Sequence, residues 1–540
     1  MVTRTPRSGI NRRSFLQWLG VSTAALTAGI NFPGAAGEAN AQGSLSGSLG
    51  LPGSSSEPAE WAHEKLFSLG VAAGTPGPES MILWTRLAPD PLAEDGHAGM
   101  PRHNVPVHWA VATDEACTQI VASGDALATP ELAHSVHPEV TGLSPNTTYY
   151  YRFQAAGITS RIGRFRTLPP AGQSADKFTF VVASCQAWYH GHFTAWKHIA
   201  EEPELDLIVF NGDYIYEYPI IAGDNLWREG ASVPPALTEK VETLAQYRLR
   251  YSLFKTDPHL QEAHASAAAA VVWDDHEVEN NYTGDGSDTG TPTEHFLYQR
   301  AAAYRAYYEN LPIGLAALPD GPHSRIYHSF DIGTLARFTN LDTRQYRDLP
   351  PTDDGGVHNP DRTMLGREQE AWVTQQLEDS PATWNFVTNG VVVAPIADDK
   401  IDQWDGFPAA RERLFGALKK AQNPVVLTGD IHQHCAAELW DGATPGGKGS
   451  GKSIGVELVA TSIASDGDGK AGTTSKDWMA QPWVKNMDQR RGYIRVSLSK
   501  DLMTSEFFVH PYIEKDDQAP KELAFAFETR AGEHTLKERR

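Results

Sequence analysis

Four short polar clusters each follow a run of apolar residues, and their side chains are of the kinds that bind metals. They are Ala183-Ser184-Cys185-Gln186, Gly212-Asp213-Tyr214-Ile215-Tyr216-Glu217, Trp273-Asp274-Asp275-His276-Glu277 and Gly429-Asp430-Ile431-His432-Gln433-His434. Thiolate, phenolate and imidazole favour a transition metal, whereas carboxylate and amide oxygens favour a hard cation such as Ca2+. One such group at the end of each buried strand lets a single small pocket collect ligands from all of them. Cations gathered there neutralise phosphate oxygens and generate hydroxide near neutral pH, which is what hydrolysis of a phosphate ester needs.

The elements that must position these clusters are legible as continuous apolar runs of buried-strand length: Phe178 to Ala183, Leu205 to Phe210, Val271 to Trp273, Trp384 to Thr388 and Pro424 to Thr428. Helical stretches, Phe296 to Glu309 and Arg367 to Leu377 among them, lie between. Buried strands alternating with helices predict an α/β or layered α+β domain over residues 176–513. Residues 61–169 read differently, as short strands separated by turn residues. Met81 to Leu87 and Val105 to Val111 are two of these strands, and Phe165 to Pro170 looks like the last strand and exit linker. Thr141 to Asn146 followed by Tyr149 to Phe153 resembles the corner and next strand of fibronectin type III modules, so a small all-β fibronectin/Ig-like sandwich is expected there. The charged tail, 514–540, contains Leu523-Ala524-Phe525-Ala526-Phe527, read here as a possible docking helix.

The N-terminus is an address. Asn11-Arg12-Arg13-Ser14-Phe15-Leu16, a mildly apolar stretch and Ala39-Asn40-Ala41 predict a twin-arginine signal peptide over 1–41, read by the twin-arginine translocase and removed on export. A flexible Gly/Ser linker follows over 42–60. The expected location is secreted, periplasmic or wall-associated, with no stable membrane anchor. A length of 540 residues favours two or more domains. The net charge of −21 excludes nucleic acid as a structural partner and disfavours adsorption to anionic lipid, yet bound cations can reverse the field inside one pocket. Three cysteines, Cys117, Cys185 and Cys435, make no disulfide framework; Cys117 reads as buried and inert.

The order Gly-Asp-x-x-Tyr, x-Asp-His-Glu and Gly-Asp-x-His resembles the two-metal phosphoesterase superfamily, whose core is a β-sandwich flanked by helices. Gly-Asp-x-x-Tyr is similar to its purple acid phosphatase branch. Three departures resemble the PhoD-type alkaline phosphatases instead: Cys185 in Val182-Ala183-Ser184-Cys185-Gln186, Trp273-Asp274-Asp275-His276-Glu277, and Asp430 before His432. Leu69 to Gly74, Leu83 to Leu87, Leu341 to Arg347 and Trp404 to Pro408 are also similar to that family, and the resemblance runs from about Leu66 to Tyr493. It implies Fe3+ held by Cys185, Asp213, Tyr216 and His432, with Asp213 bridging to Ca2+ or similar hard ions. Asp275 and Asp430 serve the Ca2+ side, and Asn389 is a further carbonyl candidate there.

The implied activity is that of a secreted phosphoric ester hydrolase acting on mono- or diesters. Hydroxide generated at the metals attacks in line, and His276 donates a proton or hydrogen bond to the leaving oxygen. Around this set, other readings stay open. Tyr214 and Tyr218 read as packing residues, His190 and His192 either line the pocket or sit on a turn, and Asp274 supports the loop of Asp275. Arg344 and Arg347 either bind substrate phosphate or form buried ion pairs with Asp342 and Asp348. Two rival functions are a phospholipase-D-like phosphodiesterase on the same site and a cell-surface binding protein with a structural metal.

Overall fold

The computed structural model describes residues 61–351, 354–397, 402–447 and 449–539. The signal peptide and linker expected over 1–41 and 42–60 lie outside the described residues. Two large sheets face each other. In one, the parallel strands Phe178–Ala183, Leu207–Asn211 and Ala268–Val272 lie side by side. In the other, Ala336–Asn340, Trp384–Thr388, Pro424–Thr428 and Ser453–Val459 run parallel.

Alternation along each strand builds three layers of core. Phe180, Val182, Leu207 and Val209 point between the sheets and meet Phe338, Phe386, Val425 and Leu427. The rings of Phe338 and Phe386 each lie 5.2 Å from Phe180. The alternate residues Val181, Ala183, Ile208 and Phe210 point outward under helices Leu244–Lys255, Pro258–Ser266 and Thr293–Asn310. On the far side Val387, Val426 and Val459 are covered by helices Gly366–Glu378 and Pro408–Leu418. Both faces of each central strand are therefore dry, which is why these runs are apolar without a break.

Residues 61–169 are built of strands as expected, but they do not stand apart as a separate sandwich. Strands Val71–Gly74, Ser80–Arg86, Ser135–Val136 and Glu139–Thr141 extend the first large sheet, because Val71–Gly74 pairs in parallel with Ala268–Val272. Gly74 permits this contact: a Cβ there would lie 2.8 Å from the Ala269 carbonyl oxygen. A five-stranded sheet containing Val105–Ala112, Ile120–Ala128 and Thr148–Ala155 contributes Val107, Tyr151 and Phe153 to the same core. At the corner, the Ser144 amide donates to the Tyr149 hydroxyl at 2.9 Å.

The tail is corrected. Leu523 to Phe527 belongs to a strand, Glu522–Arg530, paired antiparallel with Leu502–Val509, and Lys537–Glu538 pairs outside it. The alternation Phe525-Ala526-Phe527 has the period of a strand, and both rings join the core between the sheets. The strands beyond 513 are thus part of the first large sheet rather than an appendage.

Candidate metal centre

All four clusters meet at the ends of the central strands. Ligand atoms of Cys185, Asp213 and His432 lie within 4.8 Å of one another, as do those of Asp213, Asp275 and His276, and those of Asp274, Asp275 and Asp430. Asp213 belongs to the first two groups and Asp275 to the last two, so the groups form one chain of donors.

The backbone is bent to achieve this. Cys185, Asp213, Asp430 and His432 adopt positive φ of 56°, 60°, 66° and 51°. Each such residue costs about 1–3 kcal/mol, and the surrounding bonds must hold it. The Cys185 and Gln186 amides donate to the Gly212 and Asp213 carbonyls at 3.1 and 3.0 Å. The buried Glu277 carboxylate accepts from the amides of Asp213 (3.1 Å), Tyr214 (2.6 Å) and Asp274 (2.8 Å), tying two strand ends together. Gly212, at φ 85°, lets that packing close, since a Cβ would sit 2.4 Å from Cβ of Asp274.

Tyr216 lies among the first group. Its hydroxyl donates to Asp213 Oδ2 at 2.9 Å, lies 3.1 Å from His432 Nε2, and accepts from Ser465 Oγ at 2.7 Å. Asp466 Oδ2 holds His432 Nδ1 at 2.7 Å, which turns Nε2 toward the cluster. His276 Nδ1 is held by Glu217 Oε2 at 2.8 Å, and the ring packs 4.2 Å from that of Tyr216. The Asn281 amide donates to Asp275 Oδ2 at 2.6 Å.

The donor set fits cations. Asp213 Oδ1, Asp275 Oδ1 and Asp274 Oδ2 are buried with no hydrogen-bond partner among the described residues, a state proteins avoid unless another ligand is bound. Burial, then repulsion from Asp213, pushes the Cys185 thiol and the Tyr216 phenol well up. Burial beside Asp274 and Asp275 pushes Asp430 up to about 8. Multivalent cations remove that conflict, because thiolate, phenolate and carboxylates all gain a partner.

Arginines also face this charge. Arg344 bonds Asp274 and, through Nη1 and Nη2, both oxygens of Asp402 at 2.8 Å, with Nη2 3.6 Å from Asp275 Oδ1. Arg347 reaches Asp402 Oδ1 at 2.8 Å. The buried ion-pair reading holds, with corrected partners. Asp342 turns instead to the amides of its own turn and to the Trp273 indole, and Asp348 caps the Thr363 amide.

Residues 180–507 match the PhoD-like phosphatase family, and residues 53–169 match the N-terminal domain of PhoD-like phosphatases. The chain belongs to the PhoD-like phosphatase family. Over 475 residues it is 42% identical to alkaline phosphatase D of Bacillus subtilis (strain 168), covering 84% of this chain and 79% of that protein. A solved structure of PhoD is similar at 39% identity and a TM-score of 0.80, covering 90% of this chain and 93% of that one.

Two further side chains near the strand ends are held by the protein itself. Asn389 is buried with its oxygen accepting from the Trp404 indole at 3.1 Å and its amide 3.2 Å from Thr428, which leaves one lone pair of that oxygen for a cation. His434 is a packing residue, 3.0 Å from the Phe508 carbonyl and accepting from the Thr461 amide. Sequence reasoning missed Asp466 and Ser465 altogether, and it gave Glu217, Glu277 and Asp402 no role. Glu217 and Glu277 stand inside the quoted clusters, so an unassigned buried carboxylate was the available signal. Asp466 lies too far along the chain from His432 to give any.

Proposed function

We propose that this PhoD-like phosphatase is an exported phosphoric ester hydrolase whose metals are Fe3+ and Ca2+. Cys185, Asp213, Tyr216 and His432 would hold the iron. Asp213, Asp275 and Asp430 would hold the Ca2+ side, with Asn389 as a carbonyl donor. The observation that carries this reading is the pair of oxygens without a hydrogen-bond donor, Asp213 Oδ1 and Asp275 Oδ1, beside a buried thiol, phenol and imidazole. Such cations, when bound, neutralise the phosphate oxygens and acidify water.

The protein's own share is proton delivery and orientation. Glu217 fixes Nδ1 of His276, which leaves Nε2 to donate to the leaving oxygen of the ester. Burial opposes charge on that ring, but Asp275, Glu217 and Asp213 outweigh it and hold His276 well above the ordinary imidazole value. With cations on Asp213 and Asp275, Glu217 is the carboxylate that still favours the imidazolium. Arg344 holds Asp274 and Asp402 in place around the site. The N-terminal Arg12-Arg13 signal supports export, and no helix among the described residues is long and apolar enough to cross a membrane.

Assay of the metal-loaded protein on p-nitrophenyl phosphate, bis-p-nitrophenyl phosphate and phosphatidylcholine tests the reading. Turnover of the first two is expected. Preference for phosphatidylcholine would favour the phospholipase-D-like alternative, and no turnover on any would return the site to a structural role.

A further inference from the structure

One short stretch, Ser462 to Asp466, reaches three of the side chains assigned to iron. The Ala464 and Ser465 amides donate to the Cys185 carbonyl at 3.4 and 3.3 Å. The Asp466 carboxylate holds His432. Between them, Ser465 Oγ lies 2.7 Å from the Tyr216 oxygen.

The direction of that last bond follows from its neighbours. Ser465 Oγ accepts from the Ala187 amide at 3.0 Å, and Tyr216 spends its own proton on Asp213 Oδ2. The proton between the two hydroxyls is therefore that of Ser465. A tyrosine oxygen that binds a cation has no proton left, so Ser465 is the donor in that state as well.

Ser465 is also immobile. It is fully buried, and its carbonyl accepts from Arg491 Nη1 at 2.5 Å and from Ser462 Oγ at 2.8 Å. Arg491 is itself buried, and its other bonds go to Ser462 Oγ at 2.7 Å and to the Gln489 carbonyl rather than to a carboxylate. Burial pulls this guanidinium down to about 10, which leaves it a cation at neutral pH. A fixed positive charge behind Ser465 favours anionic ligands in front of it.

We propose that Ser465 is a positioning residue for the candidate iron site, donating from its hydroxyl to the Tyr216 oxygen and so setting the direction of that oxygen toward the cation and the electron density it shares. The inference rests on the iron assignment above.

Visible spectra of the iron-loaded full-length protein test it. An oxygen that loses a hydrogen-bond donor gives up an electron more easily, so Ser465→Ala is expected to move the charge-transfer band to longer wavelength. Iron retention against a chelator should fall by roughly 10- to 100-fold. Ser465→Thr keeps the hydroxyl and should keep the band near its original position. Resonance Raman spectra of the unaltered protein in H2O and D2O read the same bond without a variant: the Tyr216 C–O stretch should shift on exchange. A Ser465→Ala band that stays in place or moves to shorter wavelength, a Ser465→Thr band displaced as far as that of Ser465→Ala, or a C–O stretch indifferent to D2O would overturn the role of Ser465 and leave the iron assignment standing. An iron-loaded unaltered protein without a visible band would overturn both.

Discussion

With Nδ1 bound to the Glu217 carboxylate, His276 donates from Nε2 to a leaving oxygen only while it carries both ring protons, and Glu217 is placed to keep it in that form. His276→Ala is expected to lower kcat on an alkyl phosphate by about two to four orders of magnitude with metal content intact. The loss on p-nitrophenyl phosphate should be much smaller, because p-nitrophenolate leaves without a proton; equal losses would reduce His276 to a positioning group. Glu217→Gln should lose at least about tenfold on the alkyl ester and add little in the double variant, since both act on one proton. At the other end of the donor chain, Tyr216 offers a spectroscopic test. A phenolate on Fe3+ gives ring-to-metal charge transfer, so the iron-loaded protein is expected to be coloured and Tyr216→Phe colourless but folded. Cys185→Ser should shift the band and weaken iron retention, as a hard hydroxyl replaces a thiolate. A colourless, fully active protein with stoichiometric zinc would overturn the iron assignment. The candidate metal ligands from Cys185 to His276 and from Asp430 to His432 were legible because each sits in a short contiguous motif. Their partners were not: Asp466 for His432 and Asp402 for Arg344 are joined only by the fold.

At the scale of elements, the site depends on strand ends held in conformations their residues disfavour. Glu277 carries much of that work with three accepted backbone amides, one of them from Asp213 at its positive φ. Glu277→Ala leaves those donors buried and unpaired, and each unsatisfied group costs about 1–3 kcal/mol. The expected result is a loss of about 3 kcal/mol or more in urea unfolding together with weakened metal retention. A variant of unchanged stability would show that water replaces the carboxylate. The central strands were legible because apolar runs covered on both faces leave little choice of structure. The strand at Glu522–Arg530 was missed for a local reason. Leu523-Ala524-Phe525-Ala526-Phe527 contains good helix formers, and only its alternation, with Phe525 and Phe527 on the core side, signals the sheet.

At the scale of the whole molecule, the N-terminal strands and the catalytic sheet are one structure. Val71–Gly74 covers the edge of Ala268–Val272, and Trp84 and Arg86 reach across to the Glu309 carbonyl and to Ser252 and Asn310. Removing residues 61–169 bares that edge, so the truncated protein is expected to aggregate rather than fold; a soluble, active remainder in size-exclusion chromatography would show the units to be separable. Lys255 lies in the same seam, its ammonium 4.0 Å from the Trp84 ring centre and 5.3 Å from that of Tyr214. Burial pushes it down to about 7 from its ordinary 10.5. Between those values the unfolded chain binds a proton that the folded chain does not, so stability rises with pH across the window. The penalty is complete below pH 7 and gone above 10.5, and it amounts to something on the order of 5 kcal/mol. Lys255→Met removes it while keeping a flexible side chain against the two rings. In urea unfolding the variant should exceed the unaltered protein by several kcal/mol near pH 6.5, and the advantage should shrink toward zero near pH 10. A difference that stays flat over that range would mean the two rings hold the ammonium charged, and the seam would then be a cation–π joint rather than a buried amine.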